Sequence, residues 1–399
     1  MSDILLSHRV TSMEESQTIA MAKKARELAA SGVNIINLTL GEPDFQTPEH
    51  IKEAAKKAID DGYTFYTPVS GYADLRKAIS EKFVKENNIA STPEQIVVST
   101  GAKQSIANTI LCLVDPGDEV LILGPYWVSY LEIVKLAEGV PVVVNGSIEN
   151  GFRASIETIE KAISRKTKVI IYSSPSNPTG AVFGGSYLAA LADLVARHTQ
   201  LYVIADEIYE HINFVGKHES LGAFKTIANR VITVNGVSKG FAMTGWRLGY
   251  INAPLAIAKA CDKMQGQFTS GASSISQRAA LAALTQSLQP TLDMANAFAR
   301  RRALVYDLFS EIPHLNVALP EGAFYLFPHV GYYLGKRYGQ TVINDVNDLA
   351  MYLLNVANVS TVPGDAFGAP EHIRLSFAAS DEQLIEGAAR IKHALAQLS

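Results

Sequence analysis

Lys239 stands between Ser238 and Gly240 in the stretch VSKGFAMTGWRLGY (237–250). The next cation, Arg247, follows eight residues later, with only small or apolar residues between them. Most lysines lie on solvated helix faces, so an amine in so uncharged a setting points to chemistry rather than solvation. Four further stretches carry groups of the same interest, each with a plain structural alternative. STGAKQS (99–105) reads as a strand, a glycine turn and a helix start. Free backbone N–H groups at a helix N-terminus suit a phosphate, although many such turns bind nothing. SSPSNPTG (173–180) follows the strand-like KVIIYS, and its prolines and glycine make a rigid turn able to present Asn177 to a ligand. A tight functional turn would favour a cis Asn177–Pro178 bond.

In IADEIYE (204–210), Asp206 ends an apolar strand, where a buried carboxylate must be paired or ligating. An exposed strand-end Asp needs neither, and for this stretch alone that is the better reading. Tyr209 comes close to Asp206 if the chain turns helical there. In HIRLSFA (372–378), Ile373, Leu375 and Phe377 alternate with Arg374 and Ser376. The apolar three face a core, so Arg374 faces the other way, either to solvent or as a fork for a carboxylate.

These groups need elements to position them. From about Gln95, strand-like and helical segments alternate: EQIVVSTG, DEVLILG, VPVVVN, TKVIIYS, LYVIADE and NRVITVN, with helical patterns between most of them. Buried strands joined by helical crossovers predict an α/β fold with a mostly parallel sheet between helices. Ligands in such sheets bind at loops leaving the carboxyl ends of strands, where these five stretches lie. Upstream, the pattern predicts a helix over 16–30 and a strand in VNIINLTL (33–40). Thr47 then caps, and Pro48 opens, the first of two amphipathic helices flanking FYTPVSGY. After Pro290 come a long helix, strand-like AFYLF, a helix over 346–357, HIRLSFA and a final helix. This is a smaller α/β layer that the N-terminal segment helps complete, leaving a cleft beside the larger one. The expected division is 1–45 as N-terminal arm and part of the small domain, 46–290 as large domain, and 291–399 as small C-terminal domain.

With 399 residues, 48% apolar and 19% charged, the chain has room for two domains of an ordinary globular protein. A net charge of −4 with interspersed signs offers no field for nucleic acid or an anionic membrane. The triplet Arg300, Arg301, Arg302 reads as a solvated helix face. Cys112 and Cys261 are far apart in the sequence and read as reduced core thiols, which fits a cytoplasmic protein. The N-terminus lacks a signal-peptide pattern, and no apolar run is long enough to span a bilayer. The nine histidines are scattered, so no metal site is expected. Gly236-Val237-Ser238-Lys239-Gly240 matches the G-x-S-x-G of a hydrolase elbow, but that elbow needs a helix directly after its serine. FAMTGWRLGYI leads into a second strand-like run instead.

A single site for pyridoxal phosphate explains these stretches together: it needs a lysine, an acid, phosphate donors and a carboxylate-binding arginine. The sequence resembles class I aminotransferases of fold type I, in particular the bacterial aspartate aminotransferases of the branch with prephenate-active members. The likeness runs from about Ser7 to the C-terminus through GEPDF, PYWVSY, PSNPTG, DEIYEH, SKGFAMTGWRLGY and HIRLSFA, in that order.

The resemblance implies that Lys239 holds the coenzyme as a Schiff base and Asp206 pairs with its pyridine nitrogen. Tyr209 and Asn177 would bond its phenolic oxygen, with Trp127 stacked on the ring. Arg247, Ser238 and the N–H groups of Gly101, Ala102 and Lys103 would hold its phosphate. Tyr66 would reach the phosphate of a second copy, making a homodimer with shared sites. Arg374 would take the substrate's α-carboxylate, with the Gly41 backbone closing over it. Lys103 matches the lysine this bacterial branch uses for a dicarboxylic substrate. The implied reaction is ping-pong transfer from L-aspartate to 2-oxoglutarate. Aromatic amino acids, alanine or prephenate are the alternatives. A coenzyme-binding regulator is a weaker rival, since the chain shows no basic DNA-binding module. Two departures stand out: Gly236 replaces a serine common in relatives, and Glu14 replaces a cation of prephenate-active ones.

Overall fold

The computed structural model describes residues 6–14 and 17–399. The first strand, β1 (Ile36–Asn37), stands apart from the main sheet. That sheet contains β2 (Ile96–Ser99), β3 (Glu119–Gly124), β4 (Val140–Asn145), β5 (Thr167–Ser173), β6 (Tyr202–Asp206), β7 (Val231–Gly236) and β8 (Gly249–Asn252). Its order is β2-β8-β7-β6-β5-β3-β4. Neighbours from β7 to β4 are parallel, whereas β8 runs antiparallel to both β2 and β7. The reason is the β7–β8 connection, which holds tight turns and one short 3-10 helix (Thr244–Trp246) but no crossover α-helix, so the chain must return in the opposite sense. No helix starts at Ser238, as a hydrolase elbow would require.

Alternation along the central strands sends side chains to two cores. Val120 and Ile122 of β3 pack with Ile106 and Ile110 of helix Ala102–Leu113. Leu121 and Leu123 pack on the other face with Leu188 and Leu191 of helix Gly185–Arg197. Burial on both faces explains the unbroken apolar runs. VPVVVN differs: as the edge strand β4 it leaves Val140 and Val143 exposed.

The C-terminal layer contains β9 (Tyr325–Leu326), the hairpin β10 (Arg337–Tyr338) and β11 (Thr341–Val342), then β12 (Val359–Ser360), β13 (Val362–Pro363) and β14 (Ile373–Ser376). Strands β13-β14-β9 form an antiparallel sheet, and β1 pairs in parallel with β12. Ile36 and Leu38 share a core with Phe298, Val305 and Phe309 of helix Gln289–Ser310 and with Ile391 of helix Asp381–Leu395. The N-terminal segment is thereby built into the C-terminal layer.

Several local expectations change. The VNIINLTL strand shortens to β1, and helix Gln17–Ala30 is described from its second expected residue, Ser16 lying outside the described residues. Thr47 caps nothing: its hydroxyl donates to the Ala242 carbonyl at 2.7 Å and accepts from Trp246 Nε1 at 3.0 Å, while Pro48 itself holds the N-cap position. Arg301 is not on a solvated face, for it makes a two-pronged pair with Asp44 at 2.7 and 2.9 Å beneath Phe45 and Phe298. Arg302 is part-buried against the Pro320 carbonyl and Phe214. Cys112 and Cys261 meet where helices Ala102–Leu113 and Leu255–Phe268 pack; both are free, with Cys261 in the core and Cys112 half-buried. Among the described residues, no helix is long and apolar enough to cross a membrane.

Candidate active site

The carboxyl ends of the parallel strands converge on one cavity of about 380 Å³. Asp206 is the last residue of β6 and sits in register with Ser173, the last of β5. The turn after β5 brings Asn177, and the turn after β7 brings Ser238 and Lys239. The helix after β2 brings Ala102 and Lys103, while β14 supplies Arg374 from the C-terminal layer. Gly41, Trp127, Tyr209 and Arg247 complete the expected lining. Tyr66 is not among them: it is 98% exposed, beside the exposed Phe65, on the loop between helices Glu49–Asp60 and Ala73–Asn87. The Asn177–Pro178 bond is cis.

Lys239 Nζ donates to the Gly41 carbonyl at 2.5 Å and lies 5.7 Å from the centre of the Tyr209 ring. Burial pulls its pKa down to about 8; Glu42 and Asp206 oppose that shift, while Arg374 and Arg247 add to it. Part of the amine is therefore neutral near physiological pH, which answers why its flanks are uncharged.

Asp206 is 4% exposed, so the exposed strand-end reading does not hold. Its Oδ2 accepts from Tyr130 Oη at 2.7 Å and its Oδ1 from the Ile208 N–H at 3.3 Å. Burial raises its pKa to about 6; Tyr130, the Ile208 N–H and Lys239 hold it from rising further. It remains mainly ionised at neutral pH and faces the cavity, poised for a cationic partner.

Arg374 is 2% exposed, and its hydrogen bonds go to neutral groups. Nη1 donates to Asn177 Oδ1 at 2.9 Å and Nη2 to the Thr39 carbonyl at 2.7 Å, while the buried Nε has no partner. The guanidinium lies over Tyr325 and Phe367, 4.5 and 4.9 Å from their ring centres. Burying such a charge without a counter-charge is costly, so this is an anion site.

A second anion cradle lies across the cavity. Gly101 has φ +87, and a Cβ there would sit 2.6 Å from Arg247 Nη2. The guanidinium thus rests against the start of helix Ala102–Leu113, whose first turn has no acid and whose cap residue makes no side-chain bond. Arg247 itself holds φ +53, a left-handed conformation that costs a non-glycine residue about 1 kcal/mol. Its Nη1 donates to the Thr244 carbonyl at 2.9 Å. Helix N-terminus, bare backbone and arginine together fit a phosphate dianion. The glycine at 236 has a steric reason: a Cβ there would lie 2.9 Å from both Leu248 O and Gly249 Cα on the adjoining strand.

Lys103 Nζ lies 4.9 Å over the Trp127 ring, and burial followed by Arg247 lowers its pKa. Residues that sequence reasoning did not single out also line the cavity, among them Thr18, Ile19, Glu42, Thr244 and Tyr325. Tyr130 supports it from beneath, through Asp206. The signals for the two tyrosines lay in PYWVSY and AFYLF, but period alone does not tell a site tyrosine from a core one.

Behind the turn carrying Asp206 and Tyr209, Lys82 pairs with Glu210 and donates to Asn87 Oδ1 at 2.8 Å. Asn87 Nδ2 donates to Glu210 Oε2 at 2.7 Å, and Ser220 Oγ donates to Glu207 Oε2 at 2.6 Å. This buried network braces the backbone on which the two cavity residues ride.

Residues 33–391 match the family model described as "Aminotransferase class I and II". A Petunia hybrida protein named as a bifunctional aspartate aminotransferase and glutamate/aspartate-prephenate aminotransferase is 47% identical over 98% of this chain and 83% of its own length. An aspartate/prephenate aminotransferase of Cereibacter sphaeroides is 44% identical, covering 99% of both chains. Two solved structures share the fold: aspartate aminotransferase from Rhizobium meliloti and that from Thermus thermophilus with maleate. The first superposes with a TM-score of 0.96 at 40% identity, over 99% of this chain and 100% of its own. The second gives 0.92 at 41% identity, over 98% and 100%.

Proposed function

The chain belongs to the class I and II aminotransferases, and from that membership we propose that it transfers the amino group of L-aspartate to 2-oxoglutarate, yielding oxaloacetate and L-glutamate. The observation that carries this reading is one cavity holding a lysine of lowered pKa, a buried carboxylate and a buried arginine without a counter-charge. The family's coenzyme is pyridoxal phosphate. When bound, it supplies an aldehyde for amines and a ring that delocalises the electron pair left at the substrate's α-carbon.

The residues present fit that group. The Gly101–Arg247 cradle, the N–H groups of Ala102 and Lys103, and Ser238 would hold its phosphate. Asp206 would keep a proton on the ring nitrogen, an ion pair that shifts such groups by roughly 1–3 pKa units. Asn177 has given its Oδ1 to Arg374, so its N–H₂ is free to join Tyr209 as a donor to the ring oxygen. Trp127 would flank the ring. Lys239 is the attachment amine and, once free and neutral, the base that takes the proton from the substrate's Cα at Nζ.

Arg374 takes the α-carboxylate with its two-pronged fork, and the Gly41 segment closes over it. Lys103, at the cavity mouth, takes the distal carboxylate. That the Thermus thermophilus relative was solved with maleate, a dicarboxylate, supports this assignment. The two substrates use one cavity in turn, so the kinetics are ping-pong.

The exposed Tyr66 and Phe65 are the contact of a homodimer in which Tyr66 reaches the other copy's phosphate cradle. Residues 46–290 form the coenzyme-binding domain, and 291–399 with part of 1–45 form the smaller one, the rest of 1–45 being the N-terminal arm. The protein works in the cytoplasm on a small amino acid and a 2-oxo acid.

Prephenate as amino acceptor is the second reading. The names of the Petunia hybrida and Cereibacter sphaeroides relatives favour it, and Glu14 argues against it. The test is a half-reaction panel on the purified yellow protein. Aspartate should bleach the visible band at least tenfold faster than phenylalanine or alanine, and Lys103→Ala should slow aspartate selectively. Equal rates across the panel refute aspartate. Turnover of prephenate with glutamate or aspartate as donor decides the second reading.

A further inference from the structure

We propose that Tyr325 is a positioning residue that aims the Tyr209 proton into the cavity by donating its own O–H to the Tyr209 oxygen. This rests on the reading that Tyr209 serves the coenzyme's ring oxygen. The two hydroxyls lie 2.7 Å apart, and both tyrosines are buried. A shared hydrogen bond uses one of their two protons and leaves the other to be placed. A Tyr209 that accepts from Tyr325 must send its own proton elsewhere, and the cavity it lines is the open direction.

One contact favours Tyr325 as the donor, and two others hold its hydroxyl in place. The Arg374 guanidinium lies 4.5 Å from the centre of the Tyr325 ring, and a neighbouring cation makes a phenol the better proton donor. Gly41 presses on the same hydroxyl, since a Cβ there would lie 2.8 Å from Tyr325 Oη. Tyr325 also pairs through β9 with Ser376 on β14, the strand that carries Arg374, so its ring is held to the carboxylate-binding end. One hydroxyl thus ties the donor at the coenzyme to the arginine at the substrate. Tyr325→Phe would keep the ring, the arginine contact and the space beside Gly41, and would remove only that bond.

The test is a pH titration of the visible band of the coenzyme-loaded protein, without substrate, in wild type, Tyr209→Phe, Tyr325→Phe and the double variant. A donor at the ring oxygen stabilises its anion, so losing it raises the midpoint. Tyr209→Phe should move the midpoint up. Tyr325→Phe should move it the same way by about half a unit to one unit, the worth of one hydrogen bond. The double variant should match Tyr209→Phe alone, because the effect of Tyr325 passes through Tyr209. In turnover, Tyr325→Phe should lower kcat while KM for aspartate stays within about twofold.

An unmoved midpoint in Tyr325→Phe beside a moved one in Tyr209→Phe overturns the proposal, and so do shifts that add in the double variant. A Tyr325→Phe protein that folds yet no longer holds the coenzyme overturns it as well, since orienting one proton cannot account for that loss. If Tyr209→Phe leaves the midpoint in place, the role given to Tyr209 is what fails, and Tyr325 falls with it.

Discussion

Arg374 Nη1 donates to Asn177 Oδ1 across 2.9 Å, although 197 residues separate the two in the chain. The bond makes the two ends of the cavity, proposed above for the substrate and for the coenzyme, one unit. Arg374→Lys would keep the charge and lose the fork, along with the bond to Asn177. A loss of roughly 3 kcal/mol, the worth of one or two charge-assisted bonds, predicts about a 100-fold fall in kcat/KM for the amino acid. Half-reaction rates against amino-acid concentration measure it, and a fall below tenfold would contradict the role.

Lys239 has its pKa lowered to about 8, first by burial. Only the neutral amine attacks an aldehyde, so capture of the coenzyme by coenzyme-free protein should speed up as pH rises and level off above about 8. Stopped-flow absorbance reads the profile. Lys239→Ala should show neither the visible band nor turnover.

Asp206 titrates near 6 in the fold against an ordinary value of 3.8, because it is buried. Between those values the folded state binds its proton more tightly than the unfolded state does. The associated stability is therefore complete below 3.8 and lost as pH rises through 6. Asp206→Asn should raise the stability of the coenzyme-free protein at pH 8 by roughly 1–3 kcal/mol, with the advantage shrinking at pH 5. The same change should cut kcat by about 100-fold or more, as for other lost electrostatic stabilisers. Urea melts at the two pH values, paired with steady-state rates, test both halves.

Glu210 is a buried carboxylate whose pKa burial alone would raise. Lys82 beside it, helped by His211 and His218, holds it at about 2, below the usual 4.5. Its stabilisation is present above 4.5 and lost as pH falls toward 2. Lys82→Met, which strands that carboxylate, should cost about 3–5 kcal/mol, and adding Glu210→Gln should recover much of the loss. Denaturant midpoints at pH 7 decide this. A double variant no more stable than Lys82→Met would mean the two side chains are not a pair.

Much of the fold was legible because the central strands are buried on both faces and carry unbroken β-branched runs that only a covered parallel sheet explains. Four of the five reactive stretches could be placed at strand ends for the same reason, whereas Arg374 lies within β14 of the separate antiparallel sheet. Period and propensity act over a few residues, and there they succeeded: Gly101 turns into a helix, and Arg374 alternates with three core residues. They failed where a side chain's partner lies far along the chain. Thr47 reads as a cap and instead bonds Ala242; Arg301 reads as solvated and instead grips Asp44.

The order of residues by itself determined which amine, acid and arginine could do chemistry, and that the amine and the acid would sit at strand ends of one sheet. Tertiary structure alone decided their protonation and their neighbours. Burial, a property of the assembled fold, moves Lys239 to about 8 and Asp206 to about 6. The tyrosines that touch the site, Tyr130 beneath Asp206 and Tyr325 beside Tyr209, reach it from other elements. Local pattern records which face a side chain occupies, but a pKa and a hydrogen bond depend on what the rest of the chain packs against that face.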